Sequence, residues 1–333
     1  MSHGLQMETW RRAPLGHWLL GLGLLLLVSL GLTLWLGPVR LGWPGHLDPL
    51  AEQILWQIRW PRAWMAILLG AGLASSGCIL QTLLHNPLAE PGLIGVSGGA
   101  SMCAVLALVL TRLAGAELPL WGLSSAAFGG AMLMTLILLG LTRGQRLDSA
   151  RLLLLGVALG IGAGAVTTWL LFLANDTSVR EILFWMMGSL SYSQDQSTWW
   201  AIPYLLALGW LLWRRDALTL LQLGEQHAQL LGVNLKRLRW QLILVVALLS
   251  SVAVAMAGAI GFIGLLVPHL MRLLTRQGVA LVLPASALAG GIVLLWADWL
   301  ARTLFMAGEL PVGVVTATLG APLLIYLLVT RHA

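Results

Sequence analysis

The strongest constraint on this chain is a succession of apolar stretches, each ended by a short polar break. They lie at about 18–36, 62–84, 93–112, 119–142, 151–173, 199–213, 240–258, 260–274, 280–300 and 311–329. About 20 apolar residues in a helix cross the ~30 Å hydrocarbon layer of a bilayer. The pattern predicts an all-α membrane protein with about ten transmembrane helices. Only 10 % of the residues are charged and 59 % are hydrophobic, whereas a soluble domain carries ~25 % charge. An ordinary soluble domain, a disordered chain and a disulfide scaffold are excluded on that ground. The 17 Trp suit the membrane–water interface.

The first run follows Arg11 and Arg12, is too long for a signal-peptide core and lacks a small-residue cleavage site, so it is expected to be a retained span starting in the cytoplasm. Alternation then places 13 Arg and Lys on the cytoplasmic side and 6 outside, as the positive-inside rule requires, with both termini cytoplasmic. The net charge of +6 is read as basic loops, not as a nucleic-acid surface. With no linker, residues 1–333 are expected to form a single transmembrane domain. Its longest polar stretches are an external one, 175–197, with a short helix expected at 178–187, and a cytoplasmic one, 214–239.

Several chemistries are missing. No carboxylate lies near a span centre, where a proton or ion relay would need one. Lys236 is the single lysine and has no preceding glycine loop, so there is no phosphate-cradling motif. Cys78 and Cys103 lie in apolar runs outside any CxxC pair, and no two histidines have HxxxH spacing. No catalytic residue, metal or cofactor is therefore assigned to this chain. The run Gly160-Ile161-Gly162-Ala163-Gly164 imitates a dinucleotide fingerprint but lies mid-span without a preceding strand. Gly156, Gly160 and Gly164 are instead read as a helix-packing face, since small residues four apart let helices approach closely.

Three polar features remain. The segment His85-Asn86-Pro87-Leu88-Ala89-Glu90-Pro91-Gly92 cannot be continuous helix, because two prolines stand four apart. It is either a tight turn or a constriction at the cytoplasmic mouth of a pathway. Arg59, Arg62 and Arg302 lie on the external side, either snorkelling to the interface, with an Asp298–Arg302 pair, or docking an acidic partner. Residues 217–233 read as two short amphipathic helices broken at Gly224, which lie on the membrane or in a partner groove.

Taken together, these segments resemble the FecCD-type permeases of bacterial ATP-binding-cassette (ABC) importers. The similar strings are Trp56-Gln57-Ile58-Arg59-Trp60-Pro61-Arg62, Asn86-Pro87-Leu88-Ala89-Glu90-Pro91 with Gly95, Gly258-Ala259-Ile260-Gly261-Phe262-Ile263-Gly264 with Pro268-His269, and Glu309-Leu310-Pro311-Val312-Gly313 with Gly320-Ala321-Pro322. The strings Arg151-Leu152-Leu153-Leu154, Gly156-Val157-Ala158-Leu159-Gly160 and Trp185-Met186-Met187-Gly188 also resemble the members that import vitamin B12 (cobalamin). Members for iron–siderophores and haem share the first set.

The resemblance implies a homodimer of ten-helix subunits in the bacterial inner membrane, with the pathway on the dimer axis. It also implies two cytoplasmic ABC ATPase subunits, which bind ATP and Mg, and a periplasmic substrate-binding protein. Arg59, Arg62 and Arg302 occupy the places that pair with glutamates of the binding protein. Asn86, Leu88, Ser149 and Ala150 occupy the cytoplasmic gate, although Ala150 stands where a hydroxyl residue is expected. ATPase docking maps onto Leu218, Leu223, Gly224, Glu225, Ala228 and Gly232, with Gln226 and His227 replacing small residues. A secondary transporter working alone is disfavoured by the missing midplane carboxylate.

Overall fold

In hydrocarbon every backbone N–H and C=O needs a partner within the chain, so apolar runs of this length become helices. A computed structural model describes residues 15–39, 48–142, 149–174, 176–193, 197–222, 229–231, 234–304 and 308–330, and among them it is helical with no strand. The helices are α1 (Leu15–Trp35), α2 (Pro49–Gln53), α3 (Trp60–Leu83), α4 (Val96–Leu113), α5 (Leu120–Leu141), α6 (Ser149–Leu173), α7 (Asp176–Met186), α8 (Ser197–Trp213), α9 (Arg215–Gln222), α10 (Leu235–Ala257), α11 (Ile263–Thr275), α12 (Val279–Thr303) and α13 (Val312–Thr330). Each of the ten expected spans finds a helix. Seven are long and apolar enough to cross a membrane unaided; those centred on Trp200–Trp213, Ile263–Thr275 and Val312–Leu327 are shorter. The chain is thus a multi-span membrane protein. The short helix expected at 178–187 is α7, starting two residues earlier.

α3 forms the centre. In its most apolar stretch 83 % of residues are buried, against 11 % in α1, which packs on the outside of α12. α10, α11 and α12 surround α3, while α4, α5 and α6 form a second group joined to it through α10. The apposition of α3 with α12 depends on glycine: a Cβ on Gly70 would overlap the carbonyl of Gly290, and one on Gly290 that of Gly70. Apolar side chains gain little over lipid tails here, so helices are held by close backbone approach.

Two departures from the expected spans have local causes. The third span starts at Val96 and not at 93, because Pro91–Ile94 is a 3-10 turn and Gly95 is left-handed at φ 83°. The eighth starts at Ile263 and not at 260. α10 stops at Gly258, whose φ of 69° and ψ of −165° suit glycine alone. Residues 258–262 then run without helix from contact with Gly188 and Gly313 to the crossing of Gly264 with Leu73 and Gly77, where α11 begins. Irregular backbone at such depth is tolerated where protein covers it or a cavity adjoins it.

Candidate functional site

At one end of the bundle the segment Pro49–Leu83 is continuous for 35 residues, about 50 Å at the helical rise. That exceeds the hydrocarbon layer, so one end of it projects beyond. Within it Ile54–Arg59 is a π-helical turn, placed just ahead of Pro61, whose ring cannot donate to the preceding turn. Both Arg59 and Arg62 on this segment are buried, at 3 % exposure each.

Arg59 caps α1. Its guanidinium donates to the carbonyls of Leu34 at 2.7 Å, Trp35 at 3.1 Å and Val39, and Trp299 Nε1 donates to Leu36 at 2.9 Å. The carbonyls left open at the end of a helix are thereby satisfied, with a cation at the negative end of its dipole. Gly37 makes room, since a Cβ there would lie 2.5 Å from Arg59 Nη2.

Arg62 binds carboxylates. Nε donates to Asp298 Oδ1 at 2.8 Å, and Nη1 to Glu309 Oε2 at 2.8 Å and Ser191 Oγ at 3.1 Å. Ser191 Oγ in turn donates to Glu309 at 2.7 Å. Arg302 Nε lies 3.1 Å from Asp298 Oδ2 at an angle that makes an ion pair but no directed hydrogen bond; this is the i,i+4 pair expected from sequence. Two cations and two anions balance. Asp298 is fully buried and Glu309 half exposed. Burial raises the Glu309 carboxyl, but Arg62 outweighs it and holds the group below its ordinary range. The arginines expected to face a partner are thus turned into their own chain, because Asp298 and the end of α1 offer partners within reach.

At the opposite end of α3, Asn86 builds a turn. Its Oδ1 accepts from the Leu88 N–H at 2.9 Å, and its carbonyl accepts from the Ala89 N–H at 3.2 Å. Asn favours turns through such bonds. Leu88 is left 40 % exposed. The turn leads into Pro91–Ile94, on which α6 rests: a Cβ on Gly156 would lie 2.6 Å from the Leu93 carbonyl, and one on Gly98 would lie 3.2 Å from Gly160 Cα. Gly164 has nothing within 4 Å, so the close approach expected of all three glycines ends at Gly160, where the helices diverge. Ala150 is exposed near the start of α6; the side chain of Ser149 lies outside the described residues. Glu90 is raised above its ordinary range, chiefly by burial.

α9 is amphipathic as expected, and its apolar face covers the core. Leu218 and Leu221 are buried, and Gln222 Oε1 accepts from the Val279 N–H at 3.1 Å, at the start of α12. Leu218 therefore faces its own bundle, while Arg215 and Asp216 are exposed. Leu223, Gly224, Glu225, Ala228 and Gly232 lie outside the described residues.

Two polar residues of these sites escaped sequence reasoning. Ser191 carries no motif. Gln81, which accepts from Arg272 near the Asn86 turn, had a usable signal: an uncharged polar side chain in an apolar run just before a helix break.

A profile of the FecCD transport family matches residues 24–330. The chain belongs to that family. Among its relatives is the vitamin B12 import system permease protein BtuC of Vibrio cholerae serotype O1, 43 % identical over 332 residues, covering 98 % of this chain and 96 % of the relative. The protein of the same name from Yersinia enterocolitica serotype O:8 is 45 % identical over 313 residues, covering 94 % and 92 %. A solved structure of the metal-chelate type of ABC transporter, in an inward-facing conformation, superposes with a TM-score of 0.84 at 33 % identity, covering 95 % of this chain and 99 % of that one.

Proposed function

We propose that this chain is the permease subunit of an ABC importer that passes cobalamin from the periplasm to the cytoplasm across the bacterial inner membrane. The observation that carries the reading is identity of 43–45 % with vitamin B12 permeases over nearly the whole chain. Two copies form the pathway, with apolar residues of α6 such as Ile161, Trp169 and Phe172, all strongly exposed in the single chain, turned to lipid or to the second copy. ATP binds and is hydrolysed on two separate cytoplasmic subunits, which dock on the 214–239 segment.

The Asn86 turn is assigned to the cytoplasmic gate and the Arg62 end to the periplasmic face, where a binding protein docks. Glu309 covers Arg62 there, so an acidic side chain of that protein reaches Arg62 by exchanging with Glu309. A second reading, import of an iron–siderophore or haem, is favoured by the likeness to the metal-chelate type transporter.

The test is uptake of radiolabelled cyanocobalamin into proteoliposomes holding the chain, its ATPase subunit and its binding protein, with ferric siderophore and haem as competitors. ATP-dependent cobalamin uptake is expected. Uptake of a ferric siderophore or haem alone would establish the second reading, and uptake without the ATPase would overturn both.

A further inference from the structure

Among the described residues, three that are not glycine adopt left-handed backbone: His85 at φ 48°, Phe262 at 69° and Arg276 at 51°. His85 opens the Asn86 turn, and Phe262 and Arg276 bracket α11. Strained residues of this kind persist where surrounding structure holds them and cluster at switch regions. The side chain joining the two pieces is Gln81.

Pro268 lies inside α11. Lacking an N–H, it cannot donate to the carbonyl of Gly264, four residues earlier. Gln81 Nε2 reaches that carbonyl at 3.3 Å and the next one, of Leu265, at 3.0 Å. Gln81 Oε1 accepts from Arg272 Nη1 at 2.5 Å, and Arg272 Nη2 also reaches the Cys78 carbonyl at 3.4 Å. The amide orientation is dictated by its partners, since arginine can only donate and a carbonyl can only accept. Gln81 is 3 % exposed, so none of these bonds is readily exchanged for water. Its backbone carbonyl accepts from the Asn86 N–H at 3.2 Å. One residue therefore holds α11 with its side chain and the turn with its main chain.

We propose that Gln81 is a surrogate backbone donor, replacing across the helix interface the N–H that Pro268 lacks, and that with Arg272 it forms a latch that positions α11 and the Asn86 turn as one unit. Phe262 and Arg276 are the pivots on either side of that unit. In transport, which rests on the permease reading above, Gln81 and Arg272 are positioning residues of the gate: they set where α11 stands while Leu88 and its neighbours open and close.

Hydrogen–deuterium exchange of the full chain in nanodiscs tests the latch without assuming any cargo. Gln81→Leu should speed exchange across 263–275 by at least about tenfold while leaving 279–303 unchanged. Adding Pro268→Ala to that variant supplies the missing N–H and should return exchange to within about threefold of wild type. Unchanged exchange in Gln81→Leu, or no recovery in the double variant, would overturn the proposal. Should Gln81→Leu not fold, Gln81→Glu keeps the acceptor for Arg272, loses the donor, and should show the same loosening.

In proteoliposomes with the ATPase and binding protein, Gln81→Leu should lower cobalamin taken up per ATP hydrolysed by about tenfold, and Pro268→Ala should restore it. Equal coupling in variant and wild type would remove the latch from the gate. Wild type that carries no cobalamin would instead overturn the cobalamin reading and leave the exchange result standing.

Discussion

Arg62 reaches Asp298 with one edge of its guanidinium and Glu309 with another, and burial makes that arrangement hard to replace. Removing one member of a buried pair leaves its partner desolvated, at a cost of ~3–5 kcal/mol. Arg62→Ala should fall near the lower end, because Arg302 stays beside Asp298. Arg59→Ala strands only carbonyls and should cost about 1–3 kcal/mol. Thermal unfolding in detergent should therefore show the larger loss for Arg62→Ala. Glu309 offers a pH test. Its carboxyl is held below the ordinary value of 4.5 by Arg62, so its contribution is fully present above that value and is lost as pH falls through the depressed one. On acidification below about pH 4.5, wild type should lose thermal stability faster than Glu309→Gln, and a scan of unfolding midpoint against pH for both proteins reads that difference. The pairing of Asp298 with Arg302 was legible at i,i+4 spacing, whereas Arg62 meets its carboxylates 236 and 247 residues away, which no local pattern reports.

Among the elements, glycine decides how near α3 comes to its neighbours. A Cβ on Gly77 would overlap the Gly264 carbonyl, whereas Gly129 on α5 has nothing within 4 Å. Overpacking costs ~1–3 kcal/mol or more. Gly77→Val should lose folded protein in size-exclusion chromatography, and Gly129→Ala should elute like wild type. Helix existence was readable from the apolar runs because a bilayer leaves the backbone few alternatives. The irregular stretch 258–262 was not readable, since its apolar residues fit a span equally well. What overrides helix there is the packing of Gly258 and Gly313 against neighbouring backbone.

For the whole molecule, the absence of any phosphate-cradling lysine motif leads to a direct expectation: purified chain in liposomes hydrolyses no ATP, and activity appears when the cognate ATPase is added. Hydrolysis by the chain alone, after contaminating ATPase is removed, would contradict it. The number of helices and their membrane setting follow from the sequence, because length and hydropathy are local properties that the bilayer converts directly into spans. The Asn86 turn was equally plain, since two prolines four apart each remove a donor and crowd the preceding turn. Which way the arginines face was decided only by the tertiary structure. From residue types alone Arg59 and Arg62 could snorkel or dock; the fold brings the end of α1, Asp298 and Glu309 to them, and a buried cation takes the partners within its reach. Leu218 obeys the same logic, its amphipathic helix being local and the surface it covers being set by the bundle. Gln81 gains its role in the same way, because the donor that Pro268 lacks lies 187 positions away along the chain and comes near only when α3 and α11 cross.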